Sequence, residues 1–112
     1  MKMNDGESAD IRVDRIFVNR TAKVLLEVGD DGEHIMSVND ACRLLEVLYG
    51  CVEEMVVNCK RPLVLSHSVA PMHAYLLYQA VDSQPDGLLA VIRPHEAIWL
   101  KLRLEQTIAS CD

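Results

Sequence analysis

Two short, uniformly apolar segments constrain the fold of this chain more than any other feature. Residues 63–65 and residues 88–92 consist only of Leu, Val, Ile and Ala, without alternation of apolar and polar side chains. Strands that are covered on both faces have this pattern, which is typical of parallel sheets. Between them, Pro71 and an apolar stripe at helical spacing indicate a helix over residues 71–82. Strand, helix and strand in this order predict a right-handed βαβ unit.

The N-terminal half predicts further strands of the same domain. Residues 11–18 and 23–28 are rich in aliphatic and β-branched side chains and predict a hairpin, which a short third strand over residues 34–38 follows. Residues 1–10 are polar and are predicted to be a disordered tail. We therefore expect one α/β domain over residues 11–108.

The two remaining segments predict a helix and a strand. Leu, Cys, Val and Met recur at helical spacing over residues 39–58, and either Ser37 or Asn39 can be the N-cap. Over residues 97–104 apolar and polar side chains alternate, which favours a strand, although residues 93–97 are equally compatible with the start of a terminal helix. The expected fold is a compact mixed β-sheet with two helices, a Rossmann-like βαβ core and a C-terminal hairpin.

Composition narrows the classes of function. The chain has 112 residues, 50% hydrophobic but only 4% aromatic, so the core of this single domain is aliphatic. A net charge of -6 argues against duplex DNA or RNA, which needs many Lys and Arg contacts to phosphates. No apolar run reaches the ~18 residues that a membrane span requires, and we expect no membrane partner. The four cysteines form no C-x-x-C pair, which indicates free thiols and a cytoplasmic location.

A candidate site lies where the two apolar strands end. In a parallel sheet these ends share one edge, where ligands bind. Five residues with hydroxyl, imidazole or guanidinium groups follow the strands: Ser66, His67, Ser68, Arg93 and His95. A helix that starts at Pro71 and carries His73 in its first turn would add free N–H groups and a positive dipole end. Together these groups are suited to a phosphate or a carboxylate.

The same residues allow a catalytic interpretation and a purely structural one. In catalysis, His67, Arg93 and His95 are the candidates, with His67 as general base and Arg93 stabilising a transferring phosphate. Ser66, Ser68, Pro71 and His73 are then the ligand-binding candidates. In the structural interpretation a serine caps the helix, His67 is a turn residue and Arg93 is a solvated surface group. No metal-ligand spacing such as H-E-x-x-H occurs, so the residues predict no metal site.

Part of the chain resembles a known family. The similarity lies in the strand and turn of residues 62–66, the helix start at 70–71, the helix of 73–80, and residues 89–95 with 97–100. These segments resemble the small CRISPR-associated ring nucleases of the third Csx family, over residues 60–104. The resemblance implies an oligomeric protein that binds cyclic tetra-adenylate, with Mn²⁺-dependent cleavage in the enzymes of the family.

Two departures bear on what the resemblance implies. Where the family has an Asp-Pro-Arg turn, this chain has Arg93, Pro94 and His95, and Ala80 stands in place of a later histidine. The resemblance therefore implies binding more directly than cleavage. We predict that the protein binds an anionic nucleotide such as a cyclic oligoadenylate, with phosphodiester cleavage as an open option. We also predict a homo-oligomer, because Trp99 on an edge strand indicates a subunit interface. The alternative is a non-catalytic protein–protein interaction or regulatory module.

Overall fold

The computed structural model describes residues 10–68 and 73–111, which form two antiparallel sheets and two helices. The first sheet has, in chain order, the strands β1 (Ile11–Val18), β2 (Thr21–Val28) and β3 (Gly32–Met36). The second has β4 (Glu54–Val57), β5 (Leu63–Ser68), β6 (Ala74–Val81) and β7 (Gln84–Ile92), again in chain order. The helices are α1 (Val38–Leu48), between β3 and β4, and α2 (Pro94–Ala109), after β7. The predicted α/β class with two helices is confirmed.

The predicted N-terminal hairpin is confirmed as β1 and β2. Val18 pairs with Thr21, so only Asn19 and Arg20 form the turn, with φ of 52° and 69°. A two-residue turn with both central residues in the left-handed region matches the twist of the strands that it joins. The third strand is also present, as β3, and starts two residues earlier than predicted. Most of the predicted tail lies outside the described residues.

The first predicted helix forms but ends earlier than expected. α1 stops at Leu48, and Gly50 adopts a φ of 82°, a left-handed conformation in which glycine has no steric penalty. The apolar residues at helical spacing beyond this point belong to the connection and to β4. The predicted helix over residues 39–58 is therefore wrong in its second half, because the backbone reverses at Gly50.

The predicted helix over residues 71–82 is wrong, and with it the βαβ unit. Pro71 lies outside the described residues, and the chain from Ala74 to Val81 is strand β6, antiparallel to both β5 and β7. β5 and β7, expected as parallel neighbours, are separated by β6. Its alanines, leucines and glutamine favour a helix, but pairing along both edges overrides this local preference. A two-residue turn at Asp82 and Ser83, with φ of 53° and 64°, then leads into β7.

The C-terminal segment takes the helical alternative, so the predicted C-terminal hairpin is also wrong. Pro94 occupies the first turn of α2, where its missing N–H costs no hydrogen bond. The Glu96 carboxylate accepts a hydrogen bond from the Arg93 backbone N–H (2.9 Å), which satisfies a donor at the helix start. Ala97, Leu100 and Leu104 are buried at helical spacing. Over sixteen residues this packing outweighs the short alternation that suggested a strand.

One hydrophobic core joins both sheets and both helices. α1 packs against α2, β4 and β5, while α2 also packs against β1. The most buried core side chains come from all of these elements: Val13, Val24, Met36, Val47, Leu48, Val57, Leu63, Leu65, Leu77, Ile92 and Leu104. The core is aliphatic, as the composition predicted.

A polar cluster around the buried His34 connects the first sheet to the loop before β5. His34 in β3 is 1% exposed; its Nδ1 lies 2.9 Å from the Arg61 carbonyl oxygen and its Nε2 lies 2.7 Å from Oδ2 of Asp31. The Arg61 guanidinium contacts the same carboxylate at 3.0 Å and donates to the Glu33 carbonyl at 3.2 Å. Both ring nitrogens of the histidine therefore have partners, as a buried imidazole requires.

Replacing this histidine tests how much the cluster contributes to stability. We expect His34→Ala to lower the free energy of unfolding by about 2 to 3 kcal/mol, because it opens a cavity and removes one of the two partners of the Asp31 carboxylate and of the Arg61 carbonyl. The measurement is urea unfolding followed by circular dichroism. Glu33→Gln is the control, since Glu33 contributes only its backbone carbonyl. Equal midpoints for both variants would show that the cluster is energetically unimportant.

The start of α1 provides a second test, because two residues could cap it from the sequence. Ser37 is the N-cap, and its Oγ accepts a hydrogen bond from the Asp40 N–H at 3.1 Å. We expect Ser37→Ala to cost about 1 kcal/mol of unfolding free energy and Asn39→Ala, inside the first turn, to cost clearly less. Urea unfolding of both variants measures the difference; the reverse order would contradict this capping.

Candidate functional site

The antiparallel register brings most residues of the predicted site to one end of the second sheet. Ser68 pairs with Ala74, and Tyr75 pairs with Ile92, so the end of β5, the start of β6 and the end of β7 are adjacent. We call the candidate residues at this end the sheet-end residues: Ser66, His67, Ser68, His73, Arg93 and His95. Pro71 lies outside the described residues. The expected edge therefore exists, although antiparallel pairing rather than a parallel sheet creates it.

The serines and the histidine of β5 do not form one constellation. Ser66, His67 and Ser68 are in a strand, not a turn, and successive side chains of a strand point to opposite faces. His67 shares the face of Leu65, which lies in the core, while both serines lie on the other face. His67 is therefore not positioned to take a proton from either serine.

The surroundings of His67 explain its position without a ligand. Its ring stacks on the ring of Tyr75, with centroids 4.5 Å apart and planes 15° apart. The Tyr75 hydroxyl donates to the Leu48 carbonyl at the end of α1 (3.2 Å), and the His67 backbone N–H donates to the Glu53 carbonyl (2.8 Å). These contacts make the half-buried His67 part of the packing between the second sheet and α1.

Arg93 and His95 lie at the N-terminus of α2, whereas the exposed His73 directly precedes strand β6 and is not in the first turn of a helix as predicted. Arg93 is the N-cap of α2 and is exposed, and it directly follows Ile92, which pairs with Tyr75 at the end of β7. His95 is exposed in the first turn of the helix. A guanidinium and a helix N-terminus favour an anion at this point. The negative charge of the Glu96 carboxylate disfavours an anion here, and this carboxylate already accepts a hydrogen bond from the Arg93 backbone N–H.

The described residues supply no metal centre at this end. Among residues 10–68 and 73–111, no group of three or more His, Cys, Asp or Glu side chains could hold a metal ion. The Mn²⁺ that the resemblance implies thus has no matching ligand set in this part of the chain, and we assign no chemistry to it. All four cysteines are free thiols.

A second candidate surface is apolar and lies on the outer face of α2. Ile98, Trp99 and Leu102 are 65%, 45% and 53% exposed. Their spacing places them on one side of the helix, opposite the buried Leu100 and Leu104. Single exposed apolar residues are common on protein surfaces, but a contiguous group of large ones marks an interaction site.

Tyr49, which caps the end of α1, extends this surface. It is 54% exposed, and its hydroxyl donates to the Glu105 carboxylate of α2. The Lys101 ammonium lies 4.9 Å from its ring centre, within the range of a cation–π contact. The hydrogen bond to Glu105 raises the pKa of Tyr49 above its ordinary value. We call Tyr49, Ile98, Trp99 and Leu102 the α2 patch.

Reasoning from the sequence predicted Trp99 at a subunit interface, but on an edge strand that the structure shows to be the helix α2, and it missed Ile98 and Leu102 because it treated residues 97–104 as a strand. That interpretation placed Ile98 and Leu102 on the same face as Leu100 and Leu104. The sequence signal that would have assigned these two pairs to opposite faces is the helical spacing of Ala97, Leu100 and Leu104 after Pro94.

In the part of the chain that the structure describes, neither helix is long and apolar enough to cross a membrane. Comparison of the chain with protein-family models, with curated proteins and with solved structures finds no match. The resemblance to ring nucleases therefore stays a prediction from the sequence.

Proposed function

We propose that this protein is a non-catalytic interaction module that binds another protein through the α2 patch. The observation that carries the proposal is the exposure of Ile98, Trp99 and Leu102 on one face of α2. Burial of apolar surface favours association, and aromatic side chains are enriched at such contacts. Lys101 and Glu105 beside the patch provide a rim with both signs of charge.

We propose a second copy of this chain as the first partner to test. A symmetric dimer places the same patch on both sides of the contact. Each copy has a net charge of -6, so two copies repel each other. The α2 patch has no charged side chain at its centre and is therefore a favourable surface for contact between them. The predicted cytoplasmic location belongs to this proposal, since four free thiols require a reducing compartment.

Sedimentation equilibrium tests this function. We expect the wild-type chain to self-associate and the double variant Ile98→Ser, Leu102→Ser to weaken association by about tenfold or more, because each change removes a buried apolar contact. Leu88→Ser is the matched control: Leu88 is 53% exposed, as Leu102 is, but lies on β7.

Two results would count against the self-associating module. One is a wild-type monomer throughout the concentration range, and the other is an equal loss of association in the control. Urea unfolding should show that both variants stay within about 0.5 kcal/mol of the wild type, since the altered side chains are exposed.

A second candidate function is the binding of an anionic nucleotide at the sheet-end residues. It is favoured by the antiparallel pairing, which brings Ser68 at the end of β5 and Ile92, the residue before Arg93, to the same end of the sheet, where α2 begins. This arrangement supplies a hydroxyl, a guanidinium and backbone N–H groups to a phosphate. Cyclic tetra-adenylate is the ligand that the sequence resemblance implies.

Thermal unfolding with cyclic tetra-adenylate, linear oligoadenylate and AMP, each with and without Mn²⁺, tests this candidate. We expect the cyclic ligand to raise the melting temperature of the wild type, and Arg93→Gln to abolish most of the rise because it removes the cation. Arg20→Gln, in the distant β1–β2 turn, makes the same charge change and should keep the rise. No rise with any ligand would exclude the candidate, and chromatography of the nucleotides separates binding from cleavage.

A further inference from the structure

A cleft of about 470 Å³ opens at one end of the first sheet and shares no lining residue with the α2 patch or the sheet-end residues. Val18, Ile35 and Met36 form its apolar side. The N-terminus of α1 and the loop between β4 and β5 complete it. Its volume lies in the range of about 300 to 1,000 Å³ that is usual for small-molecule sites.

Two lysines at this cleft are notable for lacking partners. Lys23 from β2 and Lys60 from the β4–β5 loop both line it, and neither has an ion-pair partner among the described residues. By contrast, Arg61 and Arg103 are paired with aspartates. In a chain with a net charge of -6, these two ammonium groups give the cleft a local positive charge.

The charge of the cleft indicates how many negative charges a ligand would carry. Asp40, in the first turn of α1, also lines the cleft, so its ionic groups sum to one positive charge. The positive end of the α1 dipole adds to this field. A monoanion balances the site, whereas a dianion would approach Asp40 with excess negative charge.

We propose that this cleft binds a small amphipathic carboxylate. Its hydrocarbon part packs on Val18 and Ile35, and its carboxylate accepts hydrogen bonds from the ammonium groups of Lys23 and Lys60. The apolar contacts supply most of the affinity, and the two lysines select a carboxylate over a neutral or cationic head group.

Cys59 provides a reporter inside the cleft. Its thiol lines the cavity and donates to the Arg61 carbonyl at 3.2 Å. Burial raises the pKa of this thiol above its ordinary value, so it reacts slowly with iodoacetamide at neutral pH and measurably at alkaline pH. Cys51 is exposed and outside the cleft, and therefore serves as an internal control in the same molecule.

The experiment follows alkylation of both cysteines by mass spectrometry, with octanoate as the probe and octylamine as the probe of opposite charge. At ten times its dissociation constant, octanoate should slow alkylation of Cys59 about tenfold, because only the unoccupied fraction reacts, and should leave Cys51 unchanged. Octylamine should protect neither cysteine.

Variants assign the protection to the two lysines. The double variant Lys23→Gln, Lys60→Gln should weaken octanoate binding at least about tenfold, each rate being compared with the same variant without octanoate. The control, Lys101→Gln, makes a like charge change beside Tyr49 and should retain the protection.

Three results would overturn the proposal: no protection of Cys59, equal protection by octylamine, or undiminished protection in the double lysine variant. The proposal does not depend on the α2 patch. Ile98→Ser, Leu102→Ser should therefore keep the protection whether or not the chain self-associates.

Discussion

The antiparallel pairing of β5 with β6 is the constraint on which the second sheet and its candidate site depend. The pairing runs from Leu63 opposite Gln79 to Ser68 opposite Ala74, and it places β6 at the centre of the sheet between β5 and β7. Because β6 is a strand, no helix N-terminus begins at residue 74 or within β6. The backbone donors available to an anion belong to α2 instead, so the same end of the sheet gains its binding potential from a different element.

The position of α2 depends in turn on polar contacts with the free edge of β1. The Arg103 guanidinium donates to the Val13 carbonyl (2.7 Å), and Arg15 donates to the Ser110 carbonyl at the end of the helix (2.6 Å). An edge strand presents unpaired carbonyls, and side-chain donors that satisfy them also block pairing with another chain. With Leu100 and Leu104 packed inward, these contacts fix the rotation of the helix. Ile98, Trp99 and Leu102 are then left facing outward.

Local signals in the sequence predict the parts of the fold that local interactions determine. The hairpin of β1 and β2, a helix cap at either Ser37 or Asn39 and the aliphatic core could all be predicted, because each depends on neighbouring residues or on total composition. β6 could not, since its residues favour a helix and only pairing along both edges makes them a strand. α2 was ambiguous over residues 97–104, where a strand and a helix predict opposite environments for Ile98 and Leu102.

The polar contacts between distant parts of the chain could not be predicted either, because they also depend on how the strands pack and not on neighbouring residues. His34 meets Arg61 across twenty-seven positions of the chain, and no spacing rule joins them. Lys23 and Lys60 likewise meet at the cleft only because the end of the first sheet lies beside the β4–β5 loop. The sheet-end residues were found in part, since the apolar strands that precede Ser66 and Arg93 do finish at the same end of the sheet, although β6 lies between them.

α2 contributes to both proposed binding surfaces, the sheet-end residues and the α2 patch. Binding of an anion at the first is therefore expected to affect binding of a protein at the second. His95 and Leu102 are seven residues apart, which is about 10 Å along a helix axis at 1.5 Å per residue. An anion bound beside His95 would therefore bring negative charge close to any protein bound on the α2 patch. A partner with an acidic rim would be disfavoured by the anion and one with a basic rim favoured, and by linkage the partner would change the affinity for the anion by the same factor. The sign of that coupling depends on the charge of the partner's rim and not on any movement of α2.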